Sequence, residues 1–344
     1  MSKLWRITLD TNPEDCNLSC TMCEEHSEHS DFIQRLYERT GVKRRRMPFT
    51  MVRDIMEQAK AMGVREVIPS TMGEPLLYRQ MDDVFALAAE FGMKINLTTN
   101  GTFPKKSVEE WAAIIVPVTS DVKISWNGAT KETAEAVMKG LKFEQALDNV
   151  RRFVKVRDDH FERAGYYCRV TLQLTFMQNN MHELPDIIRL AADLGVDRVK
   201  GHHLWAHFKE IEELSFKSSP EAIERWNGIV EAAQEAADEF RRHDGSPVLL
   251  ENIEPLKPSM GHAVPDDHEC PFLGKELWIS ASGKVSPCCA PDEQRKVLGD
   301  FGDIQSSSLS DVNSGEAYQE LTRSYKNNEL CRTCLMRRPP SIGK

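Results

Sequence analysis

Short apolar segments alternate with longer amphipathic segments along most of the chain. Runs typical of β-strands lie near residues 4, 66, 95, 123, 171 and 198. Apolar residues recur at helical spacing over residues 50–62, 81–91, 107–116, 131–138, 143–157, 182–194 and 220–242. Strands that alternate with helices predict a parallel sheet built from βα units. Six such units are fewer than the eight of a closed barrel, so the pattern predicts an α/β fold, a partial, TIM-like (β/α)6 barrel.

The far end of the chain follows a different pattern. Residues 250–267 contain three prolines and no clear periodicity, which is typical of a linker. Beyond it, residues 277–280 and 284–286 are joined through Ala281-Ser282-Gly283 and predict a β-hairpin. We therefore predict a barrel over residues 1–245, a linker over 246–269, and a small C-terminal domain of β-hairpin and helix over 270–344.

The composition is that of an ordinary soluble globular protein. The 344 residues are 40% hydrophobic and 28% charged, and no run approaches the length of a membrane span. The formal net charge of −9 argues against a nucleic-acid partner, because phosphate binding needs a concentrated basic surface. No export signal precedes the first strand, so the nine cysteines indicate metal ligation in a reducing, cytoplasmic compartment.

Three of these cysteines lie in one short loop just after the first predicted strand. Cys16, Cys20 and Cys23 are separated by three residues and then by two. Three thiolates can hold three irons of a [4Fe–4S] cube and leave the fourth iron open, whereas a structural metal site closes its coordination shell. A zinc ribbon, the main alternative, usually pairs two CxxC knuckles, and disulfides do not suit a reducing compartment.

This cysteine loop resembles the signature of the radical S-adenosylmethionine (radical SAM) superfamily. The resemblance extends to the ends of the next strands, where Gly73-Glu74-Pro75 is similar to the GGEP motif and Thr99-Asn100-Gly101 to the TNG turn. It implies that SAM contacts residues at these positions, namely Met22, Gly73, Glu74, Pro75, Thr99, Asn100, Ser125 and Gln173. Each motif alone is also a common turn, but several in register behind the cysteine loop are not explained by turns.

Two positions depart from the family pattern. Met72 replaces the first glycine of GGEP, and Asn127 stands where many relatives have aspartate in the Ser125-Trp126-Asn127-Gly128 segment.

A second group of cysteines lies near the C-terminus. Gly283 is followed by four residues and then Cys288, which resembles the GxxxxC element of SPASM and Twitch extensions. The resemblance implies one auxiliary [4Fe–4S] cluster held by four ligands, Cys270, Cys288, Cys331 and Cys334. A structural zinc site is the alternative. Cys289 is left over, either as a buried structural thiol or as a hydrogen donor.

The resemblance also implies the reaction type. The first cluster would reductively cleave SAM, and the resulting 5′-deoxyadenosyl radical would abstract a substrate hydrogen. With an auxiliary cluster to take an electron, we expect the two-electron oxidation of a small polar molecule by a radical SAM oxidoreductase. The alternatives are a redox-neutral epimerase with Cys289 as hydrogen donor, a maturase that modifies a ribosomal peptide, and a non-enzymatic iron–sulfur electron carrier. An external flavodoxin or ferredoxin would supply electrons.

The residues that meet the substrate are less clearly marked. His202, His203 and His207 follow the last predicted barrel strand, where convergent polar groups favour substrate binding or proton transfer. The polar stretch over residues 24–47 is long enough to cover the site. Its basic run, Lys43-Arg44-Arg45-Arg46, is either a solvated loop, a contact for an anionic substrate, or a docking site for an acidic electron donor.

Overall fold

We analysed a computed structural model that describes residues 4–70, 72–257, 264–290, 296–334 and 336–340. The strands of the barrel portion are β1 (Arg6–Leu9), β2 (Ser19–Cys20), β3 (Glu66–Ile68), β4 (Lys94–Thr99), β5 (Thr119–Ser125), β6 (Met138–Lys139), β7 (Arg169–Phe176), β8 (Arg198–His203) and β9 (Leu249–Glu251). Two further strands, β10 (Glu276–Ile279) and β11 (Val285–Ser286), belong to the C-terminal extension.

Nine of these strands form one sheet, in the order β11-β10-β1-β3-β4-β5-β7-β8-β9. All neighbours are parallel except β10 and β11, which form the predicted antiparallel hairpin. The sheet is curled. This follows from the side chain of Lys123 on β5, which lies within electrostatic reach of both Arg6 on β1 and Lys200 on β8. Within the described residues β9 and β11 remain the two edges. The predicted partial barrel is confirmed.

Alternation along each strand sorts residues between the lumen and the helices. On β7, Val170, Leu172 and Leu174 are fully buried, and the intervening Gln173 and Thr175 face the opposite side. The outward apolar faces pack against α2 (Phe49–Ala61), α3 (Met81–Phe91), α4 (Val108–Ile115), α5 (Lys131–Val137), α6 (Phe143–Ala164), α7 (Leu184–Asp193) and α8 (Pro220–Glu239). No helix among the described residues has the length and apolar character needed to cross a bilayer.

One helix lies where the sequence predicts only a polar cover. α1 (Phe32–Thr40) buries Phe32 and Leu36, and Gly41 ends it in the left-handed conformation with φ 72°. The two buried residues are four apart and so share one helix face, a signal that the surrounding charged residues obscure.

The C-terminal extension is continuous with the barrel sheet. Its strand β10 pairs in parallel with β1, from Arg6 opposite Glu276 to Leu9 opposite Ile279. Its helices are α9 (Leu309–Ser314), α10 (Glu316–Ser324) and α11 (Glu329–Arg332). The predicted linker, residues 246–269, includes β9, which pairs with β8, while residues 258–263 lie outside the described residues. The proposed domain boundaries remain a prediction.

A buried ion pair joins the extension to the barrel. The Arg6 guanidinium donates to Glu276 Oε2, with 2.7 Å from Nε, and Thr8 Oγ1 donates to Glu276 Oε1 at 2.5 Å. Glu66 is a weaker partner of Arg6, at 3.3 Å. The Glu276 side chain is 1% exposed, so both of its oxygens depend on these donors rather than on water.

We predict that Glu276→Ala destabilises the protein. The substitution leaves Arg6 and Thr8 without their main acceptor, and breaking such a buried pair costs about 3 kcal/mol. The free energy of unfolding, measured by denaturant titration, should fall by that order. The control Glu320→Ala removes an exposed acid that pairs with Arg323, and should leave the unfolding midpoint unchanged. Equal midpoints for Glu276→Ala and wild type would contradict the prediction.

Candidate active site at the mouth of the barrel

The cysteine loop follows β1 at the carboxyl end of the sheet. Residues 10–15 before it are buried, and β2 within it pairs antiparallel with β6, placing Cys20 opposite Met138. The amide of Asn100 donates to Asn17 Oδ1 at 2.9 Å, which ties the loop to the end of β4. The loop is therefore held from two sides of the barrel mouth.

The three thiols Cys16, Cys20 and Cys23 converge in this loop. Burial raises the pKa of each, and for Cys20 the neighbouring Cys23 and Cys16 raise it further, so the sulfur atoms lie close enough to repel as thiolates. Backbone N–H groups of Leu18 and His26 point at the sulfurs of Cys16 and Cys23, at 3.5 and 3.4 Å. Such donors stabilise the sulfur ligands of iron–sulfur clusters.

The arrangement of Cys16, Cys20 and Cys23 does not suit a single metal ion. Among the described residues, no group of three or more His, Cys, Asp or Glu side chains is placed to hold one ion. A [4Fe–4S] cube is larger than an ion, so its ligands stand further apart while still bonding separate irons. The donor chemistry and the close approach of the thiols are compatible with a cube.

The Gly73-Glu74-Pro75 turn packs directly on the segment before Cys16. Gly73 has φ +69°, and a Cβ there would meet carbonyl oxygens of residues 12, 13 and 15 at 2.6–2.7 Å. The Glu74 N–H donates to the Asp15 carbonyl at 2.7 Å, and the Asn12 side chain donates to the Glu74 carbonyl at 2.9 Å. Only glycine allows this close approach.

The Glu74 carboxylate is used within the protein. It accepts from Thr99 Oγ1 at 2.8 Å, from the Asn100 N–H at 2.7 Å and from the Leu76 N–H at 3.1 Å. The side chain is buried, and burial raises its pKa to about 7 despite these donors. Glu74 thus fixes the turn after β3 against the turn after β4.

The remaining residues assigned to SAM by resemblance lie around the same mouth. Ser125, at the end of β5, pairs in register with Gln173 of β7, and Met22 packs half-buried against the core. Pro75 begins a short 3-10 turn after Glu74. The departure at Asn127 also has a local role, because its Oδ1 accepts the Thr175 N–H at 2.9 Å.

The basic run is mostly exposed, in keeping with a solvated loop, and its arginines also form ion pairs. Arg45 donates from Nε to Glu14 at 2.7 Å, and Arg46 donates from Nε to Asp15 at 2.7 Å. The Glu14 side chain is fully buried. The run therefore anchors the two acids that immediately precede Cys16, a pairing that sequence distance conceals.

The C-terminal cysteines share one cavity. Cys270, Cys288, Cys289, Cys331 and Cys334 all line it, together with Trp205 and Arg337. Cys289 lies with the other four cysteines and not apart from them. Burial raises the pKa of its thiol well above the ordinary value, and the neighbouring Cys288 raises it further. The Leu273 N–H points at Cys270 Sγ at 3.5 Å, as at the first cysteine set.

Two of the three candidate histidines line a common cavity. Burial and nearby cations lower the pKa of His202 to about 4 and that of His203 to about 3. His203 packs edge-on against Phe176 and Trp226, and its buried Nδ1 has no hydrogen-bond partner among the described residues. His207 is outside this lining, and burial lowers its pKa to about 4.

Sequence reasoning missed a lysine in the lumen. Lys123 of β5 alternates with the buried Val122 and Ile124, so its side chain points into the barrel. Burial and the nearby Lys200 lower its pKa to about 8, and no carboxylate of a described residue lies within ion-pair distance of Nζ. The alternation itself was the available signal.

Comparison with known protein families agrees with this arrangement. A model described as the radical SAM superfamily matches residues 13–191, and one for SPASM, an iron–sulfur cluster-binding domain, matches residues 270–335. The chain belongs to the radical SAM superfamily. It is an enzyme of this class with a SPASM domain, and its cofactors are two [4Fe–4S] clusters and SAM.

Individual relatives differ in their named activities. The pre-heme d1 synthase of Dinoroseobacter shibae is 30% identical over 204 residues, 58% of this chain and 43% of that protein, so this chain spans less than half of it. The PqqA peptide cyclase of Granulibacter bethesdensis is 24% identical over 322 residues, 93% of this chain and 76% of that protein.

Two solved structures share the fold. Streptococcus suis SuiB bound to S-adenosylmethionine superposes with a TM-score of 0.66 at 16% identity, covering 97% of this chain and 72% of SuiB. The anSMEcpe structure with bound AdoMet gives a TM-score of 0.63 at 17% identity, covering 97% of this chain and 89% of that one.

The His203 environment predicts a pH-dependent stability. Because the folded-state pKa of about 3 lies below the ordinary 6.5, the unfolded chain binds the proton first as the pH falls. Stability is therefore lost between pH 6.5 and 3, and His203→Phe should reduce the difference in unfolding free energy between pH 7.5 and 5 by about 1–2 kcal/mol.

Denaturant titrations at the two pH values measure this difference for wild type and variant alike. His182, whose side chain is 60% exposed, provides the control His182→Phe, which should retain the wild-type difference. A His203→Phe protein that loses as much stability as wild type on acidification would contradict the prediction.

Proposed function

We propose that this radical SAM enzyme is a maturase that modifies a peptide substrate. The observation that carries the proposal is the alignment of PqqA peptide cyclase over 93% of this chain. Supporting it, SuiB, which shares the fold, was also solved bound to its precursor peptide SuiA. Peptide modification thus ranks above the oxidation of a small polar molecule that the sequence led us to expect.

In this proposal Cys16, Cys20 and Cys23 hold the cluster that binds SAM. A cluster held by these three thiolates would supply the electron for reductive cleavage of SAM, and a cluster held by the C-terminal cysteines would supply a second site for electron exchange. The chain's own residues orient the site. Glu74 holds two strand-end turns together, and Gly73 lets its turn approach the loop backbone.

Cys270, Cys331 and Cys334 are proposed ligands of the auxiliary cluster, with Cys288 as the fourth. The position of Cys289 in the same cavity keeps it beside that cluster, which argues against a separate hydrogen donor for an epimerase. Cys289→Ala separates the two roles. Loss of turnover with accumulation of an oxidised product favours epimerisation, and retained turnover excludes it.

A cationic cleft beside the first cysteine loop supports an acidic electron donor such as a flavodoxin or ferredoxin. The cleft has a volume of about 650 Å³ and includes Cys16 in its lining. Arg44, Arg46, Arg79 and Lys105 line it against the single carboxylate of Asp15. A partner with complementary charge would be steered to the loop that needs the electron.

The oxidation of a small polar substrate remains the second candidate. The name of the pre-heme d1 synthase relative supports the small-molecule part of this candidate, because it names a small-molecule product. Extract fractions separate the candidates. If the peptide fraction stimulates formation of 5′-deoxyadenosine above the uncoupled rate, a maturase is supported, and stimulation by the metabolite fraction alone overturns it.

We predict that two cysteine substitutions lower the iron content by about half. Reconstituted wild type should hold about eight irons per chain, and Cys23→Ala and Cys331→Ala should each hold about four. Cys23→Ala should also yield no 5′-deoxyadenosine from SAM and dithionite. Iron analysis and chromatography of the nucleoside products provide the measurements.

Cys168 supplies the matched control. It is a fully buried thiol just before β7, it does not line the C-terminal cysteine cavity, and no other cysteine is among the groups that shift its pKa, so Cys168→Ala should keep the wild-type iron content. Failure of wild type to form 5′-deoxyadenosine would instead favour a simple electron carrier.

A further inference from the structure

The cavity lined by His202 and His203 lies between the end of β8 and the C-terminal extension. It has a volume of about 320 Å³, and His202 and His203 form its barrel side. The opposite side comes from Arg337 and Arg338, the third and fourth residues after Cys334. A ligand here would lie between the barrel mouth and the auxiliary cysteines. We refer to this cavity as the chamber.

The charges on its walls are unbalanced. Lys217, Lys257, Arg337 and Arg338 line the chamber against one carboxylate, that of Glu254. This excess of cations is notable in a chain whose formal net charge is −9. Cavities lined by one sign of charge concentrate ligands of the opposite sign.

The cations that line the chamber differ in whether they already have hydrogen-bond or ion-pair partners within the protein. The Arg337 guanidinium donates to the backbone carbonyls of His268 and Pro265, at 2.7 and 2.8 Å, and so holds the extension in place. In contrast, neither Lys217 nor Lys257 has a carboxylate within 4.0 Å of its ammonium group among the described residues. These two lysines are the groups available to a ligand.

The cations that line the chamber also lower the pKa values of neighbouring groups. Burial lowers the pKa of Lys217, and Arg338 lowers it further. Burial also lowers the pKa of His203, with Lys217, His202 and Arg338 adding to the effect. The two histidines are therefore neutral at pH 7 and offer hydrogen bonds without adding charge.

We infer that the chamber binds a carboxylate of the substrate through Lys217 and Lys257, with His202 and His203 in the same lining as hydrogen-bonding groups. This inference rests on the proposed function, because a peptide carries carboxylates on its acidic side chains and at its C-terminus. A small carboxylic acid would present the same group. Recognition of a carboxylate here would set the substrate beside the auxiliary cysteines, with its remainder toward the barrel lumen.

Binding to the reconstituted holoenzyme tests the inference. Isothermal titration with SAM present and reductant absent would compare two probes with acetylated N-termini and amidated C-termini, a tetraglutamate peptide and the neutral tetraglutamine peptide. We expect tetraglutamate to bind at least about tenfold more tightly, since charge-assisted hydrogen bonds are the stronger ones. Raising the ionic strength should weaken only the tetraglutamate complex.

Variants locate the binding site. Lys217→Gln and Lys257→Gln should each weaken tetraglutamate binding by about three- to tenfold. Lys209→Gln, which removes an exposed lysine outside the chamber lining, should bind as wild type does. Lys257 is exposed, so its substitution keeps the test valid if Lys217→Gln folds poorly. Equal affinity for the two peptides, or unchanged affinity in both lysine variants, overturns the inference.

A third probe distinguishes the two sources of carboxylate. If free glutarate binds as tightly as tetraglutamate, the chamber takes a small carboxylic acid, and if tetraglutamate binds more tightly, it takes an acidic peptide. Cleavage of SAM by the same wild-type preparation is measured separately, after dithionite is added. Failure of that cleavage contradicts the proposed function, whereas the binding result stands because it requires no reductant.

Discussion

The candidate site depends on one buried carboxylate. Glu74 accepts hydrogen bonds from the side chain of Thr99 and from two backbone N–H groups, and its own backbone is bonded to the residues before Cys16. Three strand-end segments therefore meet at this one residue, the turn after β4 at its carboxylate and the segment before Cys16 at its backbone. Because an unsatisfied group at this depth would be costly, each segment constrains the positions of the others. The cysteine loop is placed by this convergence, and not by its own short strand alone.

Charged side chains form structural pairs at two places in the molecule. Arg6, Glu276 and Thr8 join the extension to the barrel, and the acids before Cys16 are held by Arg45 and Arg46. Lys123 in the lumen and Lys217 in the chamber, by contrast, are held in surroundings that lower the pKa of each ammonium group, and neither has a carboxylate within ion-pair distance among the described residues. Arg6, Arg45 and Arg46 have carboxylate partners in the fold, whereas Lys123, Lys217 and Lys257 have none within ion-pair distance among the described residues. The paired cations stabilise the fold, whereas the unpaired lysines are available to bind a ligand.

Sequence periodicity predicted most of the fold because strand and helix faces follow strict spacings. The strands of the barrel and the hairpin after Cys270 lie close to their predicted places. What the pattern missed depends on distant partners. α1 has only two buried residues in a charged stretch, β9 acquires its identity by pairing with β8, and the basic run acquires its role from Glu14 and Asp15. The cysteine spacing indicated two sites but not that Cys289 would line the second one.

The parallel pairing of β10 with β1 has a consequence for the molecule as a whole. β1 lies between β10 and β3, so both of its edges are occupied only when the extension is present. Without β10, β1 would present a row of open backbone groups, a template for unwanted association with other chains. The iron–sulfur extension therefore also protects the β1 edge of the barrel sheet from pairing with other chains. Gain or loss of such an extension in related proteins would require a different solution for this edge.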